Sequence, residues 1–379
     1  MDHSSALRAT TRRSFLTTGG GVLAAAAMPR AALTGSDASS LAETPEKLMA
    51  AAKPGKLLIG VFDPVFAELS LDQMLAKVSG YGLEAMEIGT GGYPNNPHCP
   101  IDELLRDEGK LRAWKKKFED HNLLLATLSC HGNPVHPNQQ IAARDAETFR
   151  KTVLLAERID VPVIVGFSGC PGGSANDTTP TWVTYGWPDE HKQALEWQWK
   201  EKVVPYWKQA AQFARAHGIR KLALEMHPNF VVYNPRTLIR LRQEVGEEIG
   251  ANCDLSHLFW QGADPVEVIH FLGKQNAIFH AHMKDTVMFK DNIRQCGVLN
   301  FAFQPQDLAQ ASETFRAVGY GHGANLWKDV VRAYMEVGYQ GILSIENEDP
   351  ILPGDVGVER AAYVLKNIRT ELLDTGAKS

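Results

Sequence analysis

Four short apolar runs in the C-terminal half of the chain each end in residues that bind divalent metals. That repeat constrains the fold more than any other feature. LALEMHP ends its run on Glu225, ANCDLSH carries Asp254 and His257, IFHAHMKD carries His280 and His282, and ILSIENED ends on Glu346. Buried strands that expose a carboxylate or imidazole at their C-terminal ends are how a (β/α)8 barrel assembles an active site. Glu225 to Asp254 and Asp254 to His282 are each about one βα unit apart, since eight units fill roughly 250 residues. Such spacing lets adjacent strands bring their ligands to one ion.

The preceding chain fits the same plan. From Lys56 onward, apolar runs alternate with amphipathic stretches, the pattern of parallel βαβ units. The expected strands are 57–62, 85–88, 123–129, 161–167, 221–225, 250–254, 278–283 and 341–346, and the first helix opens on a capping box at Ser70 and Gln73. The interval between His282 and Glu346 is too long for one βα unit. It holds an extra segment, 286–323, ending in Gly-Tyr-Gly-His-Gly, and long βα loops are where barrels keep substrate lids. The Gly/Pro/Ser/Thr-rich loop 168–180 and the residues Trp182, Trp187, Trp197 and Trp199 read either as an insertion over the barrel mouth or as packing for the next helix. One barrel is expected over 56–374.

Residues 1–32 read as a targeting segment and 33–55 as a linker. Thr11-Arg12-Arg13-Ser14-Phe15-Leu16 looks like the twin-arginine export motif, followed by a Gly/Ala run and small residues suited to cleavage. A periplasmic or secreted protein is expected, with the twin-arginine translocase as a partner during export. The first 32 residues hold four Arg and one Asp, so the whole-chain charge of −5 leaves −8 for the remainder. An acidic body argues against a nucleic-acid partner. Beyond the leader no run reaches the length of a membrane span. The five cysteines (99, 130, 170, 253, 296) show no CxxC spacing and read as buried small residues, not a disulfide framework or zinc site.

Glu225, Asp254, His282 and Glu346 offer three carboxylates and one imidazole. That mixed hard set suits one divalent ion, Mn2+ first, with Mg2+, Co2+ and Zn2+ also compatible. An ion chelating a hydroxyl and a neighbouring carbonyl acidifies the adjacent C–H. Two glutamates on opposite sides of the mouth can then remove and return a proton, which casts Glu225 and Glu346 as the catalytic pair. The bland alternative, in which each acid merely bonds a neighbouring loop, has to recur at four strand ends. His280 and His282 share a strand face, and His282 is nearer the mouth and so the better ligand. His257 reads equally as a substrate contact or as a surface histidine at a helix start. Lys284 either neutralises a developing enolate or forms an exposed pair with Asp285. Glu87 and His131 are expected at the mouth ends of the second and third strands, fixing substrate hydroxyls. His136 and His322 are weaker candidates.

These motifs resemble the xylose isomerase-like TIM-barrel family of sugar isomerases and epimerases. The matching pieces are LSCHGNPVHP, LALEMHP, CDLSH, HAHMKD, VGYGHG and LSIENED, spread over residues 56 to 372. The resemblance implies one divalent metal on Glu225, Asp254, His282 and Glu346, a proton shuttle by Glu225 and Glu346, and substrate contact by His257. The family also holds inosose dehydratases, hydroxypyruvate isomerases, endonuclease IV and C-glycoside deglycosidases acting on 3-keto-glucosides. Endonuclease IV is a poor match, because it uses more His ligands and needs a basic DNA face. Export and the lack of an Arg/Lys cluster favour a neutral sugar, glycoside or keto-sugar over a phosphosugar. A sugar isomerase or epimerase is expected first, a β-eliminating lyase second, and a non-catalytic periplasmic sugar-binding barrel third. The complete ligand set weighs against the third. A homo-oligomer is compatible with the sequence.

Overall fold

The computed structural model describes residues 57–301 and 305–376. The expected leader and linker lie outside the described residues. In chain order the strands among the described residues are β1 (Leu58–Phe62), β2 (Ala85–Gly92), β3 (Leu124–His131), β4 (Val163–Phe167), β5 (Lys221–Glu225), β6 (Ile249–Asn252), β7 (Ile278–Met283), β8 (Asp285–Met288), β9 (Glu313–Arg316) and β10 (Ile342–Ile345). β1 to β7 and β10 form one closed parallel barrel, each strand beside its predecessor, and β10 seals it by pairing with β1 and β7. The expected (β/α)8 architecture is therefore present. β8 and β9 form a separate antiparallel ribbon within the long segment between His282 and Glu346.

Alternation along the strands divides the core in two. Ile59, Val61, Met86, Ile88 and Leu128 face outward and join one large apolar cluster with helix residues such as Trp207, Trp327 and Tyr334. Residues of the opposite parity face the axis. Small apolar groups lie there first (Ala85 with Ala126 and Ile342, Val163 and Val165 with Ala223), and polar side chains follow toward the mouth. Around the ring the caps follow the sequence. Ser70 and Gln73 form the expected capping box, and Asp107 caps the helix Glu108–Asp120.

At the mouth, four C-terminal strand ends differ from expectation. β2 continues to Gly92 and β3 to His131, with irregular register between them, while β6 stops at Asn252 and β10 at Ile345. Trp199 is buried with Arg240 over its ring at 4.1 Å, which fits the packing reading of the Trp-rich segment, whereas Trp187 stands 73% exposed. Of the cysteines, Cys296 is exposed and the other four are buried. No helix among the described residues is long and apolar enough to cross a membrane.

Candidate active site

Glu225 is the last residue of β5, His282 lies one residue before the end of β7, Glu346 immediately follows β10, and Asp254 lies two residues past β6. These four bring their ligand atoms within 4.8 Å of one another. His282 Nδ1 lies 3.0 Å from Glu346 Oε2 and 3.5 Å from Glu225 Oε2. Lys284 Nζ lies 2.6 Å from Glu346 Oε2, 3.0 Å from Glu348 Oε2 and 3.1 Å from Asp254 Oδ2. His257 Nε2 approaches Glu225 Oε1 at 3.1 Å and Asp254 Oδ2 at 3.3 Å, while His131 Nε2 approaches Glu225 Oε2 at 3.2 Å. The structure therefore unites His131, His257 and Lys284 with the four expected ligands. Lys284 is only 2% exposed, so the exposed-pair alternative fails for it.

Glu87 does not stand at the mouth. It is the third residue of an eight-residue strand, fully buried one layer below the cluster. Its carboxylate receives Ser129 Oγ and Ser344 Oγ, the latter at 2.6 Å, and meets His280 Nε2 at 2.7 Å and His282 Nε2 at 3.0 Å. Saturated in this way and buried below the mouth, its carboxylate contacts His282 and not the cavity. Pinning Nε2 on a carboxylate turns Nδ1 upward, the arrangement by which an acid orients a metal-binding imidazole. Asn252, absent from the sequence reading, adds to it. Its Nδ2 lies 3.1 Å from both Glu225 Oε2 and His282 Nδ1.

The electrostatics suit a cation. Burial alone would raise the carboxyls of Glu225 and Glu346. His131, His257 and His282 hold Glu225 well below the carboxylate range, and Lys284 and His282 do the same for Glu346. Burial would likewise strip His282 and Lys284 of charge, yet the surrounding acids raise both well above their ordinary values. Three buried carboxylates and an imidazole converging on one point, with more acid than Lys284 neutralises, fit a divalent ion.

Beside the cluster opens a cavity of about 590 Å³ whose walls include Phe62, Tyr93, His131, Phe167, Phe230 and Glu346. Phe167 and Phe230 stack at 4.2 Å, and among the described residues no Lys or Arg lines the space. His227 forms part of the wall; burial, helped by His257, pushes its pKa down to about 3. Asp285 does not form an exposed pair either. Fully buried, it accepts from the backbone N–H of Gly319, Gly321 and His322 and from Trp327 Nε1, and pairs with His322 Nδ1 at 2.8 Å. A Cβ on Gly321 would lie 2.4 Å from Thr286 O, so the Gly-rich turn is what lets this loop close on Asp285. His322 thus anchors the loop, and His136 accepts locally from the Asn138 N–H.

The family model described as "Xylose isomerase-like TIM barrel" matches residues 75–368. A Bacillus subtilis (strain 168) protein described as "Uncharacterized protein YfiH" is 35% identical over 300 residues, which span 79% of this chain and 95% of that one. Among solved structures, the probable 3-DHS dehydratase AsbF of Bacillus anthracis aligns with a TM-score of 0.57 at 16% identity, over 82% of this chain and 99% of its own. A D-tagatose 3-epimerase-like protein aligns with a TM-score of 0.55 at 18% identity, over 83% and 100%. At such identities the structural likeness speaks for the fold alone.

Proposed function

This chain belongs to the xylose isomerase-like TIM barrel family, and from that premise we propose that it is a divalent-metal-dependent sugar isomerase or epimerase. The observation that carries this reading is the convergence of Glu225, Asp254, His282 and Glu346 within 4.8 Å at the barrel mouth. Those four residues would hold the ion, Mn2+ first and Mg2+, Co2+ or Zn2+ as alternatives. Once bound, it would polarise a substrate carbonyl and acidify the neighbouring C–H.

The chain's own residues do the rest. Glu225 and Glu346 are ionised and flank the point of convergence, so either carboxylate oxygen can take the C–H proton and the other can return one. Lys284 keeps its charge beside Glu346 and stabilises the oxyanion that develops. His131 and His257 contact Glu225 and orient substrate hydroxyls. Glu87 serves as the orienting partner of His282. The cation-free cavity favours a neutral sugar or keto-sugar over a phosphorylated one. We further propose export by the twin-arginine pathway, on the strength of Arg12-Arg13. Arg12→Lys with Arg13→Lys would then strand the protein in the cytoplasm.

The direct test is proton exchange in D2O, followed by NMR on the Mn2+-loaded protein with neutral ketoses and 3-keto-glucosides. Deuterium at a carbon next to the carbonyl is the expected result, with an epimer or isomer accumulating from the ketoses. Absence of exchange across the panel would sink the enolisation reading. Elimination begins with the same proton abstraction and differs only in what leaves afterwards.

A further inference from the structure

The ribbon inserted between β7 and β10 carries a carboxyl group that the reading above leaves idle. β8 departs from the mouth directly after Lys284, and β9 returns beside it with Glu313 opposite Met288 and Arg316 opposite Asp285. Strand residues two apart share a face, so Glu313 and Phe315 look the same way. Phe315 shows the direction. Its ring meets His257 edge-on with centroids 5.4 Å apart, and Lys284 Nζ lies 4.6 Å from its centroid. Glu313 is 8% exposed, and its Oε2 is buried without a hydrogen-bond partner among the described residues. A carboxylate oxygen left in that state costs free energy unless the group is neutral or a ligand completes it. Burial pushes its carboxyl up to about 6, against the opposing pull of the His257 and Lys284 side chains.

We propose that Glu313 is a third acid of this site, donating a proton to the substrate oxygen β to the enolising carbonyl, so that the barrel expels water or an alcohol from a keto-sugar. This rests on the enolisation reading and goes beyond it, because two proton-shuttling glutamates suffice for epimerisation but a poor leaving group needs its own acid. Glu225 or Glu346 takes the C–H proton, and that electron pair becomes the new C=C bond. The C–O bond breaks with its pair on oxygen, the Glu313 proton joins that oxygen, and water or alcohol departs. The base then gives its proton to solvent, and solvent reprotonates Glu313, so that both carboxyl groups return to their starting states.

Leaving-group dependence tests the assignment. The probes are methyl 3-keto-β-glucoside, whose methoxide needs protonation, and the 4-nitrophenyl analogue, whose phenolate does not. In Mn2+-loaded Glu313→Gln, methanol release should fall roughly 100-fold or more, the contribution of a general acid. Nitrophenolate release and deuterium exchange at the carbon next to the carbonyl should stay near wild type, as should Mn2+ binding. Glu313→Asp should recover part of the methanol release. If both aglycones leave as fast as in wild type, or if exchange falls along with release, the proposal is overturned. Should wild type exchange the C–H yet release neither aglycone, the proposal fails alone; should it exchange nothing, the enolisation reading fails and takes the proposal with it. The metal-free chain gives an independent readout. An infrared band of a neutral carboxylic acid should titrate near pH 6 and vanish in Glu313→Gln; a wild type without that band overturns the assignment.

Discussion

Two acid-bearing layers lie one above the other inside this barrel, and they are built on opposite principles. In the lower layer Glu87 is closed off by donors from Ser129, Ser344, His280 and His282. In the upper layer Glu225, Asp254 and Glu346 share Lys284 and three imidazoles, and Asp254 Oδ2 has no well-directed hydrogen bond although Lys284 Nζ lies 3.1 Å away. Both layers are deeply buried, so burial does not separate positioning from chemistry. Saturation does. Glu87 has fixed donors on both oxygens and no open neighbour, whereas the upper cluster sets the partnered oxygens of Glu225 beside the open Asp254 Oδ2 around one point, an arrangement that attracts a cation. His282 belongs to both, with Nε2 below on Glu87 and Nδ1 above on Glu346.

The sharpest break of this comparison is Glu346→Gln. The change is nearly isosteric just past a strand end, so the fold should survive. Ligation and proton transfer should fail together, with turnover down by about 1,000-fold or more and weaker Mn2+ binding by calorimetry. Wild-type turnover would mean that the upper layer is as structural as the lower. Glu87→Gln should behave differently. Losing the partner of a metal-binding imidazole typically costs about 10- to 100-fold in affinity, so kcat should return toward wild type as Mn2+ is raised. Failure of added Mn2+ to rescue it would move Glu87 out of its positioning role. Ser344→Ala is milder still. It removes a 2.6 Å hydrogen bond to a buried carboxylate, worth about 1.5–3 kcal/mol, which urea unfolding would read with Mn2+ affinity little changed.

How much of this could be read in advance depended on the backbone. β5 and β7 end where alternation stops, and Glu225 and His282 are where the sequence suggests. Asp254 and Glu346 converge with them although their strands stop short, because one or two residues past the strand still reach the same point. Glu87 was misplaced for a physical reason. Gly89, Gly91 and Gly92 look like a turn, yet Asp63 Oδ1 accepts from the Gly89 N–H and the irregular pairing with β3 carries β2 on to Gly92. A longer strand pushed Glu87 down. Asn252 carries a signal too, since in the expected strand 250–254 it shares a face with Asp254. Glu313 had none. Its approach to the cluster is made by a ribbon whose pairing leaves no periodic trace in so short a run.

Asp63 and His98 supply the smallest and cleanest contrast, because they repeat the carboxylate–imidazole pair away from the barrel axis. Both are buried, with His98 Nδ1 2.6 Å from Asp63 Oδ2 and His98 Nε2 3.0 Å from Leu69 O. With Asp63 Oδ1 taking Gly89 N–H at 2.7 Å, the pair's four polar atoms all have partners. Both ring nitrogens face acceptors, which calls for the doubly protonated ring. Burial opposes that charge, but the hydrogen bond and charge of Asp63 outweigh it and raise the His98 pKa above its ordinary value. Burial also raises Asp63, so both groups hold protons more tightly in the folded chain. The histidine's contribution is complete below its unfolded value and is lost as pH rises through the folded one; the Asp63 contribution is lost in the same sense, starting from the lower unfolded carboxyl value. His98→Gln should therefore cost more at about pH 6 than at about pH 9, by on the order of 1 kcal/mol, in paired urea unfolding curves. Its Mn2+ titration should match wild type, as a saturated pair requires. An equal loss at both pH values would show a neutral imidazole here, and saturation would then no longer imply a fixed charge in the lower layer either.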